Sequence, residues 1–224
     1  MAFDLTYLGH SCFQIKTNKH TILIDPYLQA SKNYNYKDEN ITDIFLTHAH
    51  GDHIGNTFEI AKYKNATVTA IFELASICTR NNVKANGVNF GGWISFDWGR
   101  AIFVPAIHTS SYGNGEYAGK PAGIIFDING VTLYHAGDTA LSNEMKMIKV
   151  LYKPDIALLP VGGFYTMDIE HAAVAAKWIG AKITIPMHYN TFNNIEVDIK
   201  QFEIALQTHN QTYQILKSGE TLQF

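Results

Sequence analysis

Thr47-His48-Ala49-His50-Gly51-Asp52-His53, standing directly after the apolar run Ile44 to Leu46, decides how the rest of the chain is read. Three imidazoles and a carboxylate crowded this closely cannot be core, because burying them unpaired would strand polar groups away from water. A bound metal satisfies them. If a strand ends at Thr47 and a helix begins near Ile54, the turn between aims His48 and His50 one way and Asp52 and His53 another. That arrangement makes two half-sites. Asp52 at the head of the helix also suits the N-terminal dipole, and capping and ligation are compatible.

Two metals need more ligands than one turn supplies, and further His or Asp residues stand at the ends of later apolar runs. His108 closes Ile102 to Ile107, Asp138 follows Val131 to Tyr134 through His135-Ala136-Gly137, and His188 closes Ile183 to Met187. The carboxyl ends of strands in open sheets are where ligands gather. The runs themselves have strand length: Phe3 to Leu8, Cys12 to Thr17, Thr21 to Asp25, Asp43 to Thr47, Thr67 to Ile71, Ile94 to Asp97 and Ala101 to Ile107. They continue through Gly123 to Ile128, Val131 to Tyr134, Ile156 to Val161, Lys182 to Met187 and Tyr213 to Lys217. Helical spacing marks Ile54 to Lys64, Phe72 to Arg80, Ser142 to Tyr152, Ile169 to Ile179 and Val197 to Thr208. Asn129-Gly130 signals a hairpin and Gly180 a helix end. Two mixed sheets with helices packed outside accommodate this order.

Composition bounds the function. The 224 residues are 46% hydrophobic and 17% charged, enough for a packed core, and they lack a Pro/Gly/Ser linker, so residues 1–224 read as a single domain. A net charge of -3 without a basic block disfavours nucleic acid and leaves a small-molecule substrate as the expected partner. Self-association as a homo-oligomer stays open. Cys12 and Cys78 form neither a disulfide framework nor a CxxC site, which fits a reducing compartment. No basic-then-apolar leader opens the chain and no apolar run approaches the ~18 residues of a membrane span, so a cytoplasmic protein without membrane contact is expected.

The His-x-His-x-Asp-His motif at His48, His50, Asp52 and His53, with His108, the Gly137-Asp138-Thr139 triplet and His188 following in order, resembles the metallo-β-lactamase superfamily. Leu8-Gly9-His10-Ser11, Ile22-Leu23-Ile24-Asp25-Pro26, Phe164-Tyr165-Thr166-Met167 and Met187-His188-Tyr189-Asn190-Thr191 look like its branch of small metal-dependent hydrolases related to ascorbate-6-phosphate lactonase. The resemblance runs from Phe3 to about Phe192. It implies an α/β fold, the αββα sandwich of two mixed sheets with helices on the outer faces. It further implies two divalent ions per chain: one held by His48, His50 and His108, the other by Asp52, His53 and His188, with Asp138 bridging. Zinc is the first expectation, and His/Asp sets also suit manganese and iron. A water or hydroxide between the ions would attack a carbonyl or phosphoryl centre, with Asp52 as the catalytic residue that orients it.

Departures narrow the resemblance. Superfamily members that hydrolyse β-lactams carry Cys where this chain has Asp138, the flavodiiron branch has Glu where His50 stands, and the tRNA-processing branch has His-Glu-Ala-Thr rather than Glu170-His171-Ala172-Ala173. The expected activity is therefore hydrolysis of an ester-like bond, a lactone or phosphodiester, in a small metabolite. The alternatives are a nuclease or phosphodiesterase of the same fold, or a metal-binding module without turnover. His10 and Asp25 are assigned to orienting the ligands or touching substrate, although each is also an ordinary turn residue. His135 reads as packing or ligand support, His20, His171 and His209 as surface or helix residues, and Trp93 and Trp98 as core or interface. The Gln29 to Asn40 and Thr109 to Lys120 loops, the latter with Ser110, Ser111, Tyr112 and Lys120, are expected to enclose the substrate.

Overall fold

The computed structural model describes residues 2–31 and 33–224. Lys32, inside the Gln29 to Asn40 stretch, and Met1 lie outside the described residues. With elements numbered along the chain, the first sheet contains β1 (Asp4–Gly9), β2 (Cys12–Lys16), β3 (Thr21–Ile24), β4 (Ile41–Phe45), β5 (Thr67–Ile71), β6 (Ala85–Val88) and β15 (Thr221–Gln223), in the order β15-β1-β2-β3-β4-β5-β6. The second contains β7 (Ile94–Phe96), β8 (Gly99–Pro105), β11 (Ala122–Ile128), β12 (Val131–His135), β13 (Ile156–Pro160) and β14 (Ile183–Met187), in the order β14-β13-β12-β11-β8-β7. Both are mixed. The β3-β4-β5-β6 and β12-β13-β14 pairings are parallel and the others antiparallel.

Strand alternation decides which face meets which layer. Ile22, Ile24 and Phe45 point into a core shared with Phe103, Ile124 and Phe126 of the second sheet, whereas Leu23 and Ile44 point the other way, into a second cluster with Ile60 and Leu74. Ile60 and Leu74 belong to α2 (Thr57–Lys64) and α3 (Phe72–Arg80), which cover the outer face of the first sheet. Three further helices, α4 (Glu144–Tyr152), α5 (Ile169–Ile179) and α6 (Ile199–Thr208), pack beside one another, with α5 on β13 covering the second. The layers are αββα, as the sequence reading expects. Phe45, fully buried, sits edge-on to Phe126 at 4.9 Å and near Trp98 and Phe103, so the two sheets meet through an aromatic cluster.

Several expected elements differ. The Ile54 to Lys64 helix is two, because α1 (Gly51–Ile54) stops at Gly55, whose φ of 38° and ψ of -121° no helix can contain. Tyr213 to Lys217 is not a strand: Tyr213 alone bridges Thr184, and the C-terminal strand is β15, too short and too exposed to show a pattern. β6 also escapes a reading by propensity, since Asn86-Gly87 belongs to turns more often than to strands. The Thr109 to Lys120 loop folds into a hairpin of β9 (Ser111–Tyr112) and β10 (Glu116–Tyr117), tied to α3 by an Arg80–Glu116 ion pair. The Gln29 to Asn40 stretch carries single 3-10 turns at Leu28–Ala30 and Tyr36–Asp38.

Candidate metal centre

All seven sequence-chosen ligands leave strand ends at one edge of the sandwich, and the fold brings them together. His48, His50, Asp52 and His53 follow β4 of the first sheet, while His108, Asp138 and His188 follow β8, β12 and β14 of the second. Nε2 of His48 lies 3.0 Å from Nδ1 of His50, which lies 3.3 Å from Nε2 of His108. Three imidazole nitrogens so close are not all satisfied by shared protons, so their lone pairs suit a cation. On the other side, His188 Nε2 stands 3.7 Å from Asp52 Oδ2. Asp138 lies between the two groups: Oδ1 is 3.3 Å from His53 Nε2, and Oδ2 is 3.0 Å from His188 Nε2, 3.6 Å from His108 Nε2 and 4.0 Å from His48 Nε2.

The donor set fits metal ions on an observation that owes nothing to resemblance. His53 Nε2, His188 Nε2 and Asp138 Oδ1 are buried without a hydrogen-bond partner, close enough for ion pairs but misaligned for hydrogen bonds. Buried polar atoms normally find partners, and orphans that converge on one point ask for an ion. Ligating atoms of His48, His50 and His108, and of His48, His53 and Asp138, each lie within 4.8 Å of one another. The second half-site differs from expectation in one respect. His10 comes as close to Asp52, His53 and His188 as they do to one another, all within 4.8 Å, so it packs directly against this half-site.

Supporting residues hold these groups in place. Asp25, wholly buried, accepts from the Thr47 amide (2.9 Å), the Thr47 hydroxyl (2.6 Å) and His53 Nδ1–H (2.7 Å), leaving His53 Nε2 free to face Asp138. A carboxylate that fixes the imidazole tautomer in this way raises its basicity toward a metal. Since a carboxylate only accepts, His10 Nε2–H donates to Asp52 Oδ2 at 3.1 Å, and the Thr191 hydroxyl then donates to His10 Nδ1 at 2.6 Å. His135 Nε2–H donates to the Ser11 carbonyl at 2.9 Å while its Nδ1 accepts from the Gly137 amide, which braces the turn that presents Asp138. Ser110 Oγ accepts from the Ala49 amide, so this buried hydroxyl braces the motif turn. Thr47 and Thr191 stand in stretches the sequence reading singled out, but it gave their hydroxyls no role, since hydroxyl residues are too common to stand out without a spacing rule.

Electrostatics follow from burial and from the two carboxylates. Burial pushes His48 well below the usual histidine range and His10 down to about 4, so both are neutral near pH 7. For His188 burial is again the largest influence and works downward, but the Asp138 and Asp52 carboxylates together outweigh it and hold the ring up to about 9. His53 is raised likewise, against its burial, by Asp138 and Asp25. Asp138 and Asp52 are held well below the carboxylate range despite burial, Asp138 by His53 and His188, Asp52 by His10 and His188. Protons and metal ions would compete for the same nitrogens, so metal affinity is expected to fall in acid. Three supporting or ligating residues, His10, Asp25 and His188, carry left-handed backbones with φ of 56°, 45° and 55°, and such strain clusters at functional sites.

A cavity of about 610 Å³ opens over the centre, lined by His50, Asp52, His108, Thr109, Asp138, Tyr165, His188 and Phe192. Its walls correct one expectation. Among the described residues none from Gln29 to Asn40 lines it, and Thr109 alone represents the Thr109 to Lys120 segment, because the β9–β10 hairpin folds back toward α3.

Comparison with known proteins agrees with this geometry. Residues 4–188 match the profile of the Beta-lactamase superfamily domain. A Bacillus cereus protein described as a UPF0173 metal-dependent hydrolase is 46% identical, over 97% of this chain and 98% of its own. The structure of Igni18, a metallo hydrolase from the archaeon Ignicoccus hospitalis, superposes with a TM-score of 0.91 at 36% identity, covering 99% of both chains. A putative metal-dependent hydrolase from Parabacteroides distasonis superposes with a TM-score of 0.75 at 25% identity, covering 95% of this chain and 92% of that one.

Proposed function

The chain belongs to the metallo-β-lactamase superfamily and is a metal-dependent hydrolase, and from that premise we propose that it is a dinuclear enzyme cleaving an ester-like bond, a lactone or phosphodiester, in a small metabolite. One observation carries the dinuclear reading: the Asp138 carboxylate lies between two groups of ligating atoms, with Oδ1 toward His53 and Oδ2 toward His188 and His108. His48, His50 and His108 would hold one ion, Asp52, His53 and His188 the other, and Asp138 both. His10 would steady the second group. When bound, two divalent ions supply Lewis acidity that makes a water nucleophilic near neutral pH and polarises the scissile oxygen. Zinc is the proposed metal, with manganese and iron suited to the same ligands.

The chain's own residues do the rest. Asp52, part exposed at the cavity floor, is ionised and accepts a hydrogen bond from His10, so its other lone pairs can orient an attacking water. His10, neutral and tied to Thr191, keeps that carboxylate from turning away. Metal analysis of replete protein tests the reading: about two ions per chain are expected, and a reproducible single ion overturns the dinuclear mechanism. Metal-dependent turnover across lactone, thioester and phosphodiester panels tests the bond, and preferential cleavage of RNA or DNA over every small ester refutes the small-metabolite reading.

A further inference from the structure

Aromatic rings stand open to water at the mouth of the centre. Tyr165 and Phe192, which line the cavity, are 49% and 37% exposed, and Phe164, its ring 4.7 Å from Tyr165, is 77% exposed. Core packing does not explain them. Phe164 holds a left-handed backbone with φ of 54°, a conformation a bulky side chain rarely adopts.

These walls are fixed rather than floppy. The Tyr165 turn is closed by the Gly163 amide donating to Met167 O at 2.9 Å, and the Met167 amide donates in turn to Thr139 O, beside Asp138. Met167 is buried beneath it. The Phe192 segment follows His188 directly and is pinned by buried Ile195, whose amide donates to Phe192 O at 3.1 Å. Phe192 lies edge-on to His10 at 5.2 Å, and Asn194 Nδ2 donates to the Tyr165 hydroxyl at 3.2 Å, joining one wall to the other. At Gly162 the two segments approach so closely that a Cβ would collide with the His188 carbonyl.

Charge is the second observation. Among the described residues lining the cavity there is no Lys or Arg. Some cations elsewhere are held by carboxylates of their own, Arg100 by Asp127 and Lys182 by Asp155. Whatever charge the loaded centre carries lies at the floor, where the scissile group sits. A second anionic group on the substrate would find no cationic partner there and would give up part of its hydration against aromatic carbon.

We infer that the cavity selects the non-reacting part of its substrate for being uncharged and apolar, an aryl or alkyl group of a lactone or ester held between Tyr165 and Phe192, and rejects substrates with a remote phosphate or carboxylate. This specificity rests on the hydrolase reading above, and it replaces the open choice between anionic and neutral metabolites with the neutral class. Aromatic walls contribute affinity through area and ring stacking, so they act mainly on substrate binding.

The test compares two six-membered lactones, dihydrocoumarin and 6-phosphogluconolactone, on metal-replete protein. Dihydrocoumarin is expected to have a kcat/KM about 10-fold or more above the phosphorylated lactone. Tyr165→Ala and Phe192→Ala should each lower it about 10-fold through KM, with Phe192→Leu retaining most of the loss-free value and Tyr63→Ala, on an exposed face of α2, changing nothing. Calorimetric binding of 3,4-dihydroquinolin-2-one, the lactam counterpart that is not turned over, should weaken in the same two alanine variants. Preference for the phosphorylated lactone, or lactam affinity untouched in both variants, overturns the inference. If neither lactone is turned over while lactam binding follows the aromatic walls, the lactone reading fails and the specificity stands.

Discussion

Asp138 carries more of the proposed chemistry than any other single side chain, because its two oxygens face ligating nitrogens from both sheets. Removing its carboxylate takes an anion from between two sites without disturbing a strand, since the residue stands three positions past the end of β12. Asp138→Ala is therefore expected to keep its far-ultraviolet circular dichroism while losing metal and at least about 100-fold in turnover. Full activity in that variant would show that the bridge is assigned to the wrong residue. The seven proposed ligands could be picked out from the sequence for a physical reason: dense imidazole and carboxylate groups at strand ends have no ready alternative to a metal. Their helpers were less so. Asp25 and His10 could be singled out by proximity to the motifs, but the Thr191 hydroxyl that orients His10, and the Thr47 hydroxyl that completes the Asp25 cage, become visible only when the chain has folded.

Element boundaries matter because one of them aims the motif. α1 lasts a single turn, presents Asp52 and His53, and ends at Gly55, whose amide donates back to Gly51 O. A Cβ at Gly55 would stand 2.5 Å from Pro26 O and 2.7 Å from Tyr27 Cα, immediately after Asp25. Gly55→Ala therefore strains both the turn that carries His53 and the segment whose carboxylate orients it. A loss of about 2 kcal/mol in stability is expected, read from urea unfolding, together with weaker metal binding in a competition titration. Unchanged affinity with lowered stability would confine the glycine to a structural role. The same position explains why the helix read as continuous from Ile54 to Lys64. Periodicity registers apolar spacing, and a break imposed by the Pro26–Tyr27 backbone leaves no mark on that spacing. Long strands such as β8 and β11 were legible because both faces are buried; β6, β15 and the β9–β10 hairpin were not, because edge position and pairing partners, rather than their own side chains, make them strands.

At the scale of the molecule, the centre lies across the junction of two sheets whose cores meet around Phe45. One sheet supplies His48, His50, Asp52 and His53, the other His108, Asp138 and His188, and their ends touch directly where the His188 amide donates to His10 O at 2.9 Å. In the unfolded chain these residues are scattered, so ions that need ligands from both sheets bind the native state almost exclusively. Binding then adds to stability as the logarithm of saturation, about 2.7 kcal/mol for free metal at one hundred times its dissociation constant. For a chain of this length each kcal/mol moves the melting temperature by roughly 2–4 °C. Chelation of replete protein is accordingly expected to lower Tm by about 5 °C or more, and re-addition of metal to restore it. Asp138→Ala should melt near the chelated wild type and respond weakly to chelator, since the carboxylate that spans the sheets is gone. A wild-type Tm indifferent to chelator would mean that the ions, where they bind, do not join the two halves of the sandwich.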